Sequence, residues 1–360
     1  MDIRALPILL ALLAPLSACT NFPGHDQEIV QRSVSAPSAG ALLFAYGKTL
    51  IGVDPRSGAV RILLKFRTFI GNPSYAHDGR ILVGDVGAKI GDFGGGFFVI
   101  GPKGRVEKKI PTLPNPVNVV DLGPCIFVDS LGYYENGNTA FSLFDAETFS
   151  LLSECKTLTG FVTSPKKGTY GEAAWLGVNP NVAAGTPGFV LRIDGTSKRA
   201  ERFALPLRAR GMSLFRSFIY GNKLYTSYGD DFVVEAYDLD TLRATMTVNL
   251  ADLFPDVAEL KPKDGERWGT GAIRFADCVG GKLILFVTDT NPAPRTVNAL
   301  ISIDPENPAA INRSDIRGLE NHDVQLRYVT EDKAYFQEGE TIFVVSLRTL
   351  QPEATIDIPR

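Results

Sequence analysis

One pattern recurs along this 360-residue chain: a few apolar residues, a turn built from Asp, Pro, Gly, Ser or Thr, then another strand-like run. It reads LIGVDPRSGAVRILL from Leu50, FFVIGPKGRVEKKI from Phe97, FSLFDAETFSLLSEC from Phe141 and FVLRIDGTSKRAERFAL from Phe189. It continues as VEAYDLDTLRATMTV from Val234, LISIDPENPAAINRS from Leu300 and FVVSLRTLQPEATIDI from Phe343. The first turn residues, Asp54, Gly101, Asp145, Asp194, Asp238, Asp304 and Ser346, stand 47, 44, 49, 44, 66 and 42 positions apart. A period in the forties is that of four-stranded sheets arranged around a channel; a two-sheet sandwich with such a repeat would be unusual. The spacing therefore predicts an all-β chain, a seven-bladed β-propeller of four-stranded antiparallel blades.

Composition agrees with short strands cut by turns: 35 Gly and 23 Pro stand among many Phe, Val, Leu and Ile. Helical periodicity is nearly absent, and LADLFPDVAEL, residues 250–260, is the one place for a turn or two of helix. The Asp of each repeated turn has a structural use, because its carboxylate can accept a backbone N–H two residues on. The last unit reads as complete, whereas the first lacks an inner strand. EIVQRSV, residues 28–34, is the remaining strand-like segment that could supply it and close an exposed sheet edge. Over residues 28–360 the chain resembles seven-bladed repeat propellers of the YVTN and quinoprotein-like kind, a resemblance that implies the architecture and no particular function. Quinoprotein-type blades carry a tryptophan after the turn. Here only Trp175 and Trp268 exist, neither in that place, so no quinone cofactor is expected.

The N-terminus gives an address. ALPILLALLAPL, residues 5–16, is about a dozen apolar residues, too short for the roughly twenty of a spanning helix and fitting a secretory signal. It ends in Leu16-Ser17-Ala18-Cys19, which resembles the lipobox of bacterial lipoproteins. That resemblance implies lipidation of Cys19, removal of residues 1–18, a tether over 19–27 and, with Thr20 after the cysteine, the outer membrane. Two or three acyl chains hold a protein on a membrane far more firmly than one. The other reading is an ordinary secretory peptide cleaved after Ala18. The net charge of −3 gives no basic footprint for nucleic acid.

In a propeller the turns joining the first to second and third to fourth strands of each blade share one end of the ring. Here they are short. The other end carries the long connections, 86–96, 132–139, 178–188 and 289–296, and an insertion at 250–271. Long loops on a rigid scaffold are where binding resides. Exposed aromatics beside charge carry binding energy, which nominates Tyr133, Tyr134, Phe93, Arg267, Trp268 and Arg295. A second constellation lies on three consecutive inner strands: Arg216, Arg274 and Arg327. Three guanidiniums facing one channel would attract an anion, unless each pairs with a carboxylate between blades.

Catalytic patterns do not emerge. Three His are present, and His77 and His322 fall at opposite ends of predicted inner strands, too far apart to share a metal. No nucleophile elbow, zinc spacing or phosphate loop occurs. Cys125 and Cys155 fall two strands apart, roughly 10 Å, beyond the reach of a disulfide. No metal, cofactor or catalytic residue is expected. The chain reads as a lipid-anchored envelope module that binds another envelope protein or a polysaccharide through its long-loop face. The alternative is a channel-centred hydrolase or lyase acting on an anionic small molecule or sugar.

Overall fold

The repeated turns form because a side chain folds back onto the backbone ahead of it. In the computed structural model, which describes residues 40–87, 95–123, 125–130, 139–158, 169–170, 173–178, 189–194, 196–203, 215–228, 231–261, 270–289 and 295–358, Asp54 Oδ1 accepts the N–H groups of Arg56 and Ser57 at 2.9 Å. Asp145 and Asp238 accept from the residues two and three places on, Asp194 accepts from Ser197, and the Ser346 hydroxyl accepts from Arg348 and Thr349. The backbone bonds at Asp54 and Asp194, and the Thr241 hydroxyl followed by backbone at Asp238, hold these carboxyls below their usual range. The fifth residue of five turns is left-handed: Gly58, Phe149, Lys198, Leu242 and Leu350 have φ between 54° and 70°. Only the first is glycine, so the remaining four accept strain to close the hairpin.

Seven antiparallel sheets follow one another along the chain. The first holds Leu42–Tyr46, Thr49–Val53 and Val60–Lys65; each of the other six has four strands or more. The expected seven complete four-stranded blades are therefore six, preceded by a three-stranded sheet. The position of the Asp54 turn shows what that sheet contains: its second, third and outer strands. Among the described residues none supplies the inner one, and 28–34 lies outside them.

Burial makes the sheets a ring. One apolar cluster lies between each sheet and the next, from Leu43, Leu63 and Ile81 in the first interface to Phe286, Leu326 and Phe336 in the sixth. The ring closes where Phe44, Ile51 and Val53 of the first sheet pack on Tyr335, Ile342 and Val344 of the last. Each sheet buries both faces against its neighbours, which is the β-propeller arrangement.

The inner edge of the first sheet has its own finish. The two-residue turn at Gly47 and Lys48 pairs Tyr46 with Thr49, Phe44 with Ile51 and Leu42 with Val53. In an antiparallel ladder with that register, the carbonyls of the intervening residues point away from the partner strand. Those carbonyls are capped by side chains of the flanking sheets. Tyr75 donates its hydroxyl to Ala41 O at 3.0 Å, Tyr328 to Leu43 O at 2.5 Å, and Gln337 Nε2 donates to Ala45 O at 3.4 Å.

Two short helices follow the fifth sheet: α1, Leu250–Leu253, and α2, Pro255–Ala258. Asn249 caps α1 by accepting the Ala251 N–H at 3.2 Å. Leu250, Val257 and Leu260 are buried in the cluster between the fifth and sixth sheets. Gly271 opens the sixth sheet against Leu260, and a Cβ there would lie 2.6 Å from Leu260 Cδ1. The first half of the expected insertion is thus part of the core.

Candidate functional site

The two ends of the ring differ in construction. At the short-turn end, ion pairs and rings link neighbouring sheets: Lys198 meets Asp145, Lys223 Nζ lies 3.5 Å from Glu306, and the Arg80 guanidinium sits 4.5 Å above the Phe149 ring. The Lys198 ammonium, followed by the Thr148 N–H, holds the Asp145 carboxyl far below the usual range. Such contacts join elements and leave little reach for a partner.

At the other end, all five of the long connections have their tips outside the described residues. Tyr133, Tyr134, Phe93, Arg267 and Trp268 all fall there. Arg295 is described, and its guanidinium is engaged by its own surroundings. It donates to Thr288 Oγ1 at 3.0 Å, to Asp289 O and to the Asp323 carboxylate, and its side chain is 7% exposed. It anchors the connection and is not a free contact residue. The chain of contacts runs on, since Glu338 accepts the Asp323 N–H at 2.7 Å and His322 Nδ1 lies 2.7 Å from its other oxygen. Burial works to raise the Glu338 carboxyl, but His322 and the Asp323 N–H together hold it below its usual range.

The described surface at this end offers two exposed aromatics that the sequence did not single out. Tyr46 and Phe69 are 41% and 38% exposed, and Lys48 Nζ lies 5.3 Å from the Phe69 ring centre. The tight turn carries one on each side: Ile70 N donates to Gly47 O at 2.9 Å, which sets Phe69 of the second sheet beside Gly47 and Lys48, while the Tyr46 hydroxyl lies towards Gly339 of the seventh sheet. No signal in the sequence marked them, because they sit in one of the few short turns on the long-loop end. Tyr220, 45% exposed, lies at the short-turn end.

The three inner-strand arginines are not equivalent. Arg216 pairs in regular register with Ser227. Arg274 and Arg327 each fall at a register break, between Ile273 and Phe275 and between Leu326 and Tyr328. Arg274 is partnered within the protein. Arg327 donates from Nε to Gln337 Oε1 at 3.1 Å, so the expected carboxylate partner is an amide instead.

His77 and His322 occupy separate dyads. His77 Nδ1 lies 2.7 Å from Asp121 Oδ2 at the short-turn end, and His322 pairs with Glu338 at the other. Among the described residues no group of three His, Cys, Asp or Glu side chains could hold a metal ion. Cys125 and Cys278 are free, and burial, followed by nearby carboxylates, pushes their thiols up to about 12 and about 11. Thiols held protonated in this way are poor nucleophiles. No helix among the described residues is long and apolar enough to cross a membrane.

No protein-family profile and no curated protein sequence matches the chain. Solved structures do share its shape. Dihydro-heme d1 dehydrogenase NirN in complex with DHE superposes with a TM-score of 0.53 at 14% identity, over 92% of this chain and 68% of that one. A chain of the mitotic checkpoint complex superposes with a TM-score of 0.55 at 13% identity, over 93% of this chain and 96% of the other. At such identity the likeness carries the β-propeller fold alone. One neighbour is an enzyme and the other a member of an assembly.

Proposed function

We propose that the protein is an envelope β-propeller, lipid-anchored through Cys19, that binds another envelope protein or a polysaccharide through its long-loop end. The observation that carries the reading is two exposed aromatics flanking one tight turn, Tyr46 and Phe69, the latter beside Lys48, on the same end as the long connections. Aromatic rings next to a cation, on a rigid scaffold, are the residue types that concentrate binding energy. Tyr134 and Trp268, on long connections that the sequence assigns to the same end, are proposed as further contact residues.

A photo-crosslinking side chain placed at Phe69, Tyr134 or Tyr220 in cells tests the reading. Adducts of one discrete mass are expected at Phe69 and Tyr134 and not at Tyr220. Cys19→Ala should move the protein out of the membrane fraction and lower the adduct yield. Equal crosslinking at all three positions, or an unchanged membrane fraction in the Cys19 variant, would overturn it.

A further inference from the structure

We propose that Arg327 and Gln337 form a site for the carboxylate group of a small acidic ligand, at the inner edge of the ring where the seventh sheet meets the first. The site does not depend on the long-loop reading.

Arg327 belongs to Gln325–Val329, the innermost strand of the seventh sheet, and has no residue opposite it. Leu326 pairs with Phe336 and Tyr328 with Tyr335, leaving Arg327 at the break. A break of this kind re-aims the side chain it carries. The guanidinium is then fixed through one nitrogen, Nε donating to Gln337 Oε1 at 3.1 Å. Gln337 is 6% exposed and its amide is held, because Nε2 donates to Gly339 O at 3.1 Å and to Ala45 O at 3.4 Å. The amide oxygen is the atom left to face Arg327. Fixing Nε in this way leaves the two terminal amino groups as a planar end-on fork, whose parallel N–H bonds match the two oxygens of a carboxylate.

The charge balance points to an anion. Arg80, Arg192, Arg295 and Arg313 each have a carboxylate partner. Among the described residues no Asp or Glu pairs with Arg327, and burial draws its pKa down. A cation partly withdrawn from water without a counter-charge is costly, and a bound anion relieves that cost. The neighbouring hydroxyls decide the class. Tyr328 and Tyr75 donate to the backbone oxygens of Leu43 and Ala41. A phosphate would therefore find the fork but no donor for its third oxygen, whereas a carboxylate needs only the fork.

The full chain in detergent is titrated with sodium acetate, sodium succinate and sodium phosphate at constant ionic strength, following the melting temperature and the heat of binding. Acetate or succinate should raise the melting temperature to a plateau, and phosphate should not. Arg327→Lys keeps the charge and loses the fork, so affinity should fall at least tenfold. Gln337→Glu places a carboxylate on the guanidinium and should remove the response. It also loses the Nε2 donor to Gly339 O and Ala45 O and should melt lower, so its response is read well below its own melting temperature, with the fold checked by circular dichroism. No saturable response to either acid, a phosphate response equal to theirs, or an Arg327→Lys variant that responds like the original would each overturn the site.

Discussion

Asp129 is wholly buried, yet it keeps a carboxyl that titrates near neutrality. It accepts the Asn118 backbone N–H at 2.6 Å and Asn118 Nδ2 at 2.7 Å, while Asn118 Oδ1 accepts from Asn72 Nδ2 at 2.8 Å. These bonds favour the ionised form, but burial outweighs them and pushes the pKa up to about 7. The folded-state pKa therefore lies above the unfolded value near 3.8. The proton's contribution to stability is complete below that lower value and is lost as pH rises towards 7. By pH 8 the difference is on the order of 4 kcal/mol. Asp129→Asn cannot ionise, so its melting temperature should hold steady between pH 5 and pH 8 relative to a falling profile for the original protein. Parallel profiles for the two would mean that Asp129 is not the titrating group.

At the scale of elements, the segment 250–261 shows what sequence could and could not convey. Its helical turns were legible from LADLFPDVAEL, and so was its place on the long-loop end. Its docking was not, because it depends on a residue far along the chain. Arg313 of the sixth sheet's outer strand grips Asp256 with both amino groups, at 2.7 and 2.6 Å, and its Nε reaches Asp315 at 2.8 Å. The same guanidinium lies 5.3 Å from the Phe254 ring centre. Shortening the whole insertion would therefore expose Leu250, Val257 and Leu260 as well as remove a loop, and a test of function must be confined to 262–269. Asp256→Ala should cost about 1 kcal/mol, since its half-exposed carboxylate is one of two partners of Arg313. Arg313→Ala removes both pairs and the ring contact and should cost roughly 2 kcal/mol. Urea unfolding of both single variants and the double isolates the coupling, and a strictly additive double would show that the two side chains act separately. The turns illustrate the same division. Asp54, Asp145, Asp194 and Asp238 were readable because one side chain satisfies backbone within three residues of itself. The left-handed residue that completes each hairpin was not, since Phe149, Lys198, Leu242 and Leu350 carry no conformational signature.

At the scale of the whole molecule, periodicity conveyed the ring and the sorting of its two ends, because each sheet repeats the same local instruction. How the ring closes was hidden, because closure joins residues nearly three hundred positions apart. Packing supplies most of it, through the cluster of Phe44, Ile51, Tyr335 and Val344. The directional part comes from caps on the first sheet's inward carbonyls, and Tyr328 is the central one. Its ring lies edge-on to Phe44 at 5.1 Å, its hydroxyl reaches Leu43 O, and burial pushes its pKa up to about 12. Tyr328→Phe keeps the ring contact and leaves a buried carbonyl without that donor, a loss of about 1–3 kcal/mol. If these caps finish the edge, removing residues 20–34 should leave the melting temperature unchanged. Tyr328→Phe should lower it, with faster amide exchange confined to Leu42–Tyr46 and the strand beside it. The opposite pattern, a neutral Tyr328→Phe and a truncated protein that melts early, would show that an added strand at 28–34 closes the ring and that the tyrosine is incidental.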